Sequence, residues 1–234
     1  MSQSLYKQLD AKKIVETAER IHTRILERFP TTGLCKVAEE VCSVARSAAD
    51  GSARLARPYR GLRIGALMFT LLLLLLFVNV ATRINFGPIA SSLADFIQAL
   101  DAGIESILFC GGGILFMLTL ETRLKRRRAL RAIHELRSLA HVVDMHQLTK
   151  DPDRASSKRK PTASSPRNNL DEFGLSRYLD YCSEMLSIIS KVAALYVQSF
   201  PDHIVLDAVD EIESLTNGLS RKIWQKIMIL GRMQ

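Results

Sequence analysis

The chain has 234 residues, 47% of them hydrophobic and 24% charged, with a formal net charge of +8. The charge is local: residues 1–63 carry +5, 64–120 carry −2, 121–169 carry +8 and 170–234 carry −3. That distribution excludes a uniformly basic fold, and the scattered cysteines Cys35, Cys42, Cys110 and Cys182, none in a CxxC pair, suggest neither a zinc knuckle nor a redox motif.

Residues 1–50 read as an N-terminal cytoplasmic pair of helices. Ile14, Ala18, Ile21, Ile25 and Phe29 share one helical face that Pro30 ends. Leu34, Val37, Val41, Val44 and Ala48 make a second stripe, expected to end near Gly51. Residues 51–63 form a basic juxtamembrane segment with Arg54, Arg57, Arg60 and Arg63.

The uncharged run 64–82, IGALMFTLLLLLLFVNVAT, holds 19 residues between Arg63 and Arg83. At about 1.5 Å per residue it extends roughly 28 Å, one bilayer core. It starts too far along the chain for a cleavable signal peptide. A connector over 83–101 follows, then a second span over 102–120. The connector is poor in basic residues, whereas Arg123, Lys125, Arg126, Arg127, Arg128 and Arg131 follow the second span. Basic residues near span ends mark the cytoplasmic side, so both termini are expected in the cytoplasm and the connector outside, in the plasma membrane. Arg60, Arg63, Arg123, Lys125, Arg126, Arg127 and Arg128 are expected to meet anionic headgroups, at about 1 kcal/mol each. Arg83 and Glu105, near the outer ends of the spans, are expected to form an interfacial ion pair.

Ala99, Gly103, Ser106, Cys110 and Gly113 recur at alternating spacings of four and three along the second span. All are small, and such stripes let helices approach closely in lipid, within one hairpin or between subunits. Gly111 and Gly112 make the same stretch cheap to deform, since glycine costs about 1 kcal/mol against alanine in a helix.

Residues 121–148 read as a cytoplasmic helix that can run straight out of the second span, with Ile133, Leu136, Ala140 and Val143 on an apolar face and His134, Arg137, His141 and Asp144 on one polar face, a candidate protonation-sensitive contact. His134 and His141 stand two turns apart and cannot share a metal without ligands from elsewhere, so no metal or cofactor is expected. Arg128 and His134 resemble the R-x(4–6)-H pattern of HEPN ribonucleases, over seven residues only. The resemblance implies a helical ribonuclease; membrane anchoring accounts equally for Arg128. Residues 149–169 read as a disordered basic linker, and they interleave no aromatic side chains of the kind that stack on nucleic-acid bases.

Residues 170–234 read as a C-terminal helical hairpin. Leu175, Leu179, Cys182, Leu186, Ile189, Ala193, Tyr196 and Phe200 follow a heptad seam, the pattern of a coiled coil, which Pro201 breaks. A further helix carries Val205, Val209, Ile212, Leu215, Leu219, Ile223 and Leu230. Two helices alone bury too little apolar surface, so partners are needed: the N-terminal pair, the helix after the second span, or another subunit.

These elements predict an all-α membrane protein, a two-span transmembrane hairpin with a cytoplasmic helical bundle. No nucleotide-binding, hydrolase or metalloprotease motif is present in the sequence. The expectation is a non-enzymatic membrane assembly or anchoring protein. It would be a homo-oligomer in an anionic bilayer, with residues 170–234 free to dock a soluble partner and nucleic acid not among its ligands. The alternative is a two-span effector or channel that permeabilises the bilayer on a cytoplasmic signal.

Overall fold

Asp10 opens the first helix, α1 (Ala11–Arg28), by accepting from the backbone N–H groups of Lys12 and Lys13 at 2.9 and 3.4 Å. Pro30 disfavours helical geometry at Phe29, where α1 ends. The remaining helices are α2 (Gly33–Ala56), α3 (Arg60–Arg83), α4 (Leu93–Leu148), α5 (Glu172–Ser199) and α6 (His203–Gly231). This computed structural model describes residues 8–83, 93–150 and 170–231, excluding the side chains of 77, 80, 81, 83, 93–96, 98–100, 102 and 106. The connector residues 84–92 and the linker residues 151–169 lie outside the description. Among the described residues there is no strand.

The chain divides into two units, Met1–Ala56 with Arg126–Gln234, and Arg57–Lys125. In the first, α1, α2, α5, α6 and the end of α4 contribute to one buried core. Its centre is α5, which buries thirteen side chains and packs on α1, α2 and α6. The heptad seam is therefore part of a wider buried surface: Tyr178, Tyr181, Met185, Ile188, Val192 and Leu195 are buried beside it. A helix with neighbours on several sides buries more than the narrow stripe of a two-stranded coiled coil. Phe29 stands edge-on to Tyr178 and Tyr181, with ring centroids 5.6 and 6.2 Å apart, and fastens the α1–α2 turn to α5. From Arg126 onward α4 buries Ala129, Ile133, Leu136, Leu139, Ala140 and Val143 in the same core.

Helix α2 runs further than its sequence pattern indicates, and α4 begins before the expected start of the second span at residue 102. Helix α2 continues through Gly51 to Ala56 and buries Ser52 and Leu55. Gly51 is spent on proximity instead of termination: a Cβ there would stand 3.3 Å from the Tyr196 hydroxyl of α5. Helix α4 is continuous from Leu93 to Leu148, so the second span and the helix after it are one element. No proline interrupts those residues, and the Gly triplet sits among strong helix formers.

The second unit holds α3 and the first part of α4. Both helices are long and apolar enough to cross a membrane, and the most apolar stretch of each is wholly unburied. Leu67, Leu72, Leu76, Ile107, Phe109 and Leu118 are exposed along them. A water-soluble monomer rarely exposes more than a few hundred Å² of contiguous apolar surface. Lipid is the solvent in which such a surface carries no such penalty.

Candidate functional site

The charged ends of the apolar hairpin are organised around one carboxylate. Glu121, with 14% of its side chain exposed, accepts from Arg63 Nε at 2.9 Å, and its Oε1 lies 3.0 Å from Lys125 Nζ. It also accepts from the backbone N–H of Tyr59 at 3.2 Å. The hydrogen bond from Arg63 does most to hold the Glu121 carboxyl down to about 2; Lys125 and the Tyr59 amide add to it against the opposing effect of burial. The Lys125 ammonium also lies 5.4 Å from the Tyr59 ring centroid, and the residue is only 8% exposed. The cluster links the start of α3 to α4. Higher in the hairpin, Gly113 faces Phe69: a Cβ added there would meet the ring at 3.4 Å.

Of the small-residue stripe, Gly113 thus faces α3, Gly103 has nothing within 4 Å of an added Cβ, and Cys110 is half-buried. The side chains of Ala99 and Ser106 lie outside the described residues. So does that of Arg83, and with it the pair to Glu105, whose own side chain is exposed. Arg60 is exposed, and Arg123 lies 5.8 Å from the Phe116 ring centroid.

The other basic residues beyond the second span fall in the bundle. Arg126 grips Asp202 through Nε at 3.0 Å and a terminal nitrogen at 2.7 Å, and Asp202 also accepts from the Val205 N–H as a cap of α6. Hydrogen bonding to Arg126 holds the Asp202 carboxyl below its usual range. Arg127 and Arg128 are exposed. His134 and His141 face solvent, while Arg137 pairs with Glu211 and Asp144 accepts from Gln147 at 2.6 Å. The four side chains thus do not converge on one site. Among the described residues no group of three metal-ligating side chains assembles.

A second polar cluster forms at the end of α4. Lys226 of α6 donates to the carbonyl oxygens of Gln147 at 2.8 Å and Lys150 at 3.1 Å, satisfying carbonyls that a helix end leaves open. The Lys150 ammonium is 4.8 Å from the Tyr178 ring centroid. Burial lowers the Lys150 pKa and pushes the neighbouring Cys182 thiol up to about 12. His146 presses on Gly33, where a Cβ would stand 2.5 Å from Cε1; burial, followed by the Lys150 charge, lowers its pKa. Sequence reading missed Glu121 and Lys226 because a lone acid beside a basic run and a lysine on a distant helix have no periodic signature.

On the outer side of the bundle, α5 and α6 border an open groove of about 430 Å³, lined by Asp180, Ser183, Glu184, Ser187, Ile223 and Trp224. Trp224, the one tryptophan of the chain, is 60% exposed, and Met228 and Ile229 are exposed further along α6. No family model, curated protein or solved structure matches this chain.

Proposed function

We propose that this protein is a non-enzymatic, membrane-anchored assembly protein of the plasma membrane. The apolar hairpin holds it in the bilayer with both termini in the cytoplasm, and the bundle associates with itself or with a soluble partner through the α5–α6 face. The observation that carries the reading is the contrast between the two units. The bundle closes a continuous core, whereas the hairpin leaves its apolar side chains unburied. The exposed Trp224, Met228 and Ile229 support the docking role, because aromatic and methionine side chains are favoured where proteins meet.

Reconstitution of the full chain tests the proposal. The protein should resist alkaline extraction from vesicles, expose both termini to protease on one side only, and give a discrete mass above one chain in nanodiscs. A soluble, alkali-extractable chain would overturn it. A second reading, a bilayer-permeabilising effector, draws on Gly103, Gly111 and Gly112, whose open surroundings leave room for a neighbouring helix. Ion leakage from the same vesicles, abolished by replacing Gly111–Gly113 with leucine, would favour that reading over the anchor.

A further inference from the structure

The turn between α2 and α3 encloses an open groove of about 750 Å³, lined by Arg57, Pro58, Tyr59, Arg60, Gly61 and Leu62. Among the described residues, neither Arg57 nor Arg60 pairs with an acid, in contrast to Arg63 and Lys125, which are committed to Glu121. We propose that this groove is a seat for the phosphate of an anionic phospholipid headgroup, with Arg57 and Arg60 as its ligands.

Charge and position both argue for a lipid. Arg63 and Lys125 together outweigh the one carboxylate they share, Glu121, and Arg57 and Arg60 line the groove beside them, so the turn stays positive with Glu121 ionised. A guanidinium presents parallel donors that match phosphate oxygens in pairs, and two unpaired ones border the same groove. The groove precedes the apolar run at Ile64 by two residues, so an inserted hairpin carries it at headgroup depth. Leu62 and the Tyr59 ring give it an apolar border suited to the glycerol end of a lipid. Glu121 is the positioning residue: it takes the Tyr59 N–H and Arg63, fixing the turn and leaving Arg57 and Arg60 to the ligand. Nothing occupies the space over Gly61, where an added Cβ would meet no atom within 4 Å.

The inference rests on insertion of the hairpin, so its test separates the two. The full chain is placed in phosphatidylcholine nanodiscs with spin-labelled phosphatidylglycerol or spin-labelled phosphatidylcholine, and the motionally restricted lipid is measured. Wild type should hold the anionic probe in preference to the zwitterionic one, and excess inorganic phosphate should not displace it. R57Q/R60Q should lower that preference at least fivefold, as expected for the loss of basic residues worth about 1 kcal/mol each. Gly61→Leu should lower it too, by filling the groove without altering any charge, while Arg20→Gln, on the exposed face of α1, should leave it unchanged. Equal preference in R57Q/R60Q and wild type, or full displacement by inorganic phosphate, overturns the headgroup seat while the inserted protein stands. Alkaline extraction of the wild-type chain from vesicles overturns the membrane reading, and the seat with it.

Discussion

Glu121 is the side chain that joins the start of α3 to α4. Removing its charge leaves the Lys125 ammonium, 8% exposed, without its counter-ion. Glu121→Gln should therefore destabilise the hairpin on the order of 2 kcal/mol, below the range for fully buried pairs because Arg63 is largely exposed. Thermal unfolding in nanodiscs reads this as a lowered midpoint. The same group sets a pH dependence. Its carboxyl lies at about 2 in the folded chain against an ordinary 4.5, so its stabilisation is complete above about 4.5 and disappears as pH falls through about 2. An acid titration of the unfolding midpoint should show a component in that window for wild type and lack it in Glu121→Gln. The thiols divide by burial in the same manner. Cys42 and Cys182 are buried and pushed up to about 11 and about 12, whereas Cys35 is half-buried. Iodoacetamide at pH 8 should modify Cys35 in the folded bundle and reach Cys42 and Cys182 only after unfolding, as peptide mass mapping would record.

Among the elements, α6 depends on its first residues. Asp202 is 7% exposed at the side chain, caps the Val205 N–H and receives both nitrogens of Arg126. Asp202→Ala removes the cap and the charge together and should cost about 2 kcal/mol in denaturant unfolding of the full chain. Asp202→Asn keeps a capping oxygen and should lose roughly half as much; equal losses in the two variants would show that the cap contributes nothing. The helices themselves were largely legible in the sequence. Ile14, Ala18, Ile21 and Ile25 recur at helical spacing and are buried together, and Pro30 and Pro201 each follow a helix end. Their extents were less legible. Gly51 looks like a stop because glycine is poor in helices, yet the close approach of Tyr196 makes a small residue useful there and α2 runs on. The continuity of α4 through Glu121 was legible, since no proline or other break stands between the apolar run and the helix after it, whereas its start at Leu93 was not.

At the scale of the whole molecule, the membrane proposal rests on the unburied apolar surface of α3 and the first part of α4. Leu72→Lys together with Leu75→Lys places two charges in the middle of α3, each costing about 2.5–3.5 kcal/mol at a bilayer centre. That variant should become alkali-extractable, while the helical content of the bundle, followed by circular dichroism, should stay near the wild-type value. Retention in the membrane would count against α3 as a span. The all-helical class and the two apolar stretches follow from the sequence alone, because periodicity and run length are local properties that each segment carries by itself. Which of the basic residues around the apolar run pair with an acid is decided only by tertiary structure. Arg63, Lys125 and Arg126 look like their neighbours Arg60 and Arg127 in one dimension, yet Glu121 and Asp202 engage the first three. On the face of His134 and His141 the same holds for Arg137, which Glu211 of α6 engages, whereas Asp144 accepts locally from Gln147 three residues along α4. An ion pair depends on where distant segments meet, and that is decided by packing of the whole chain.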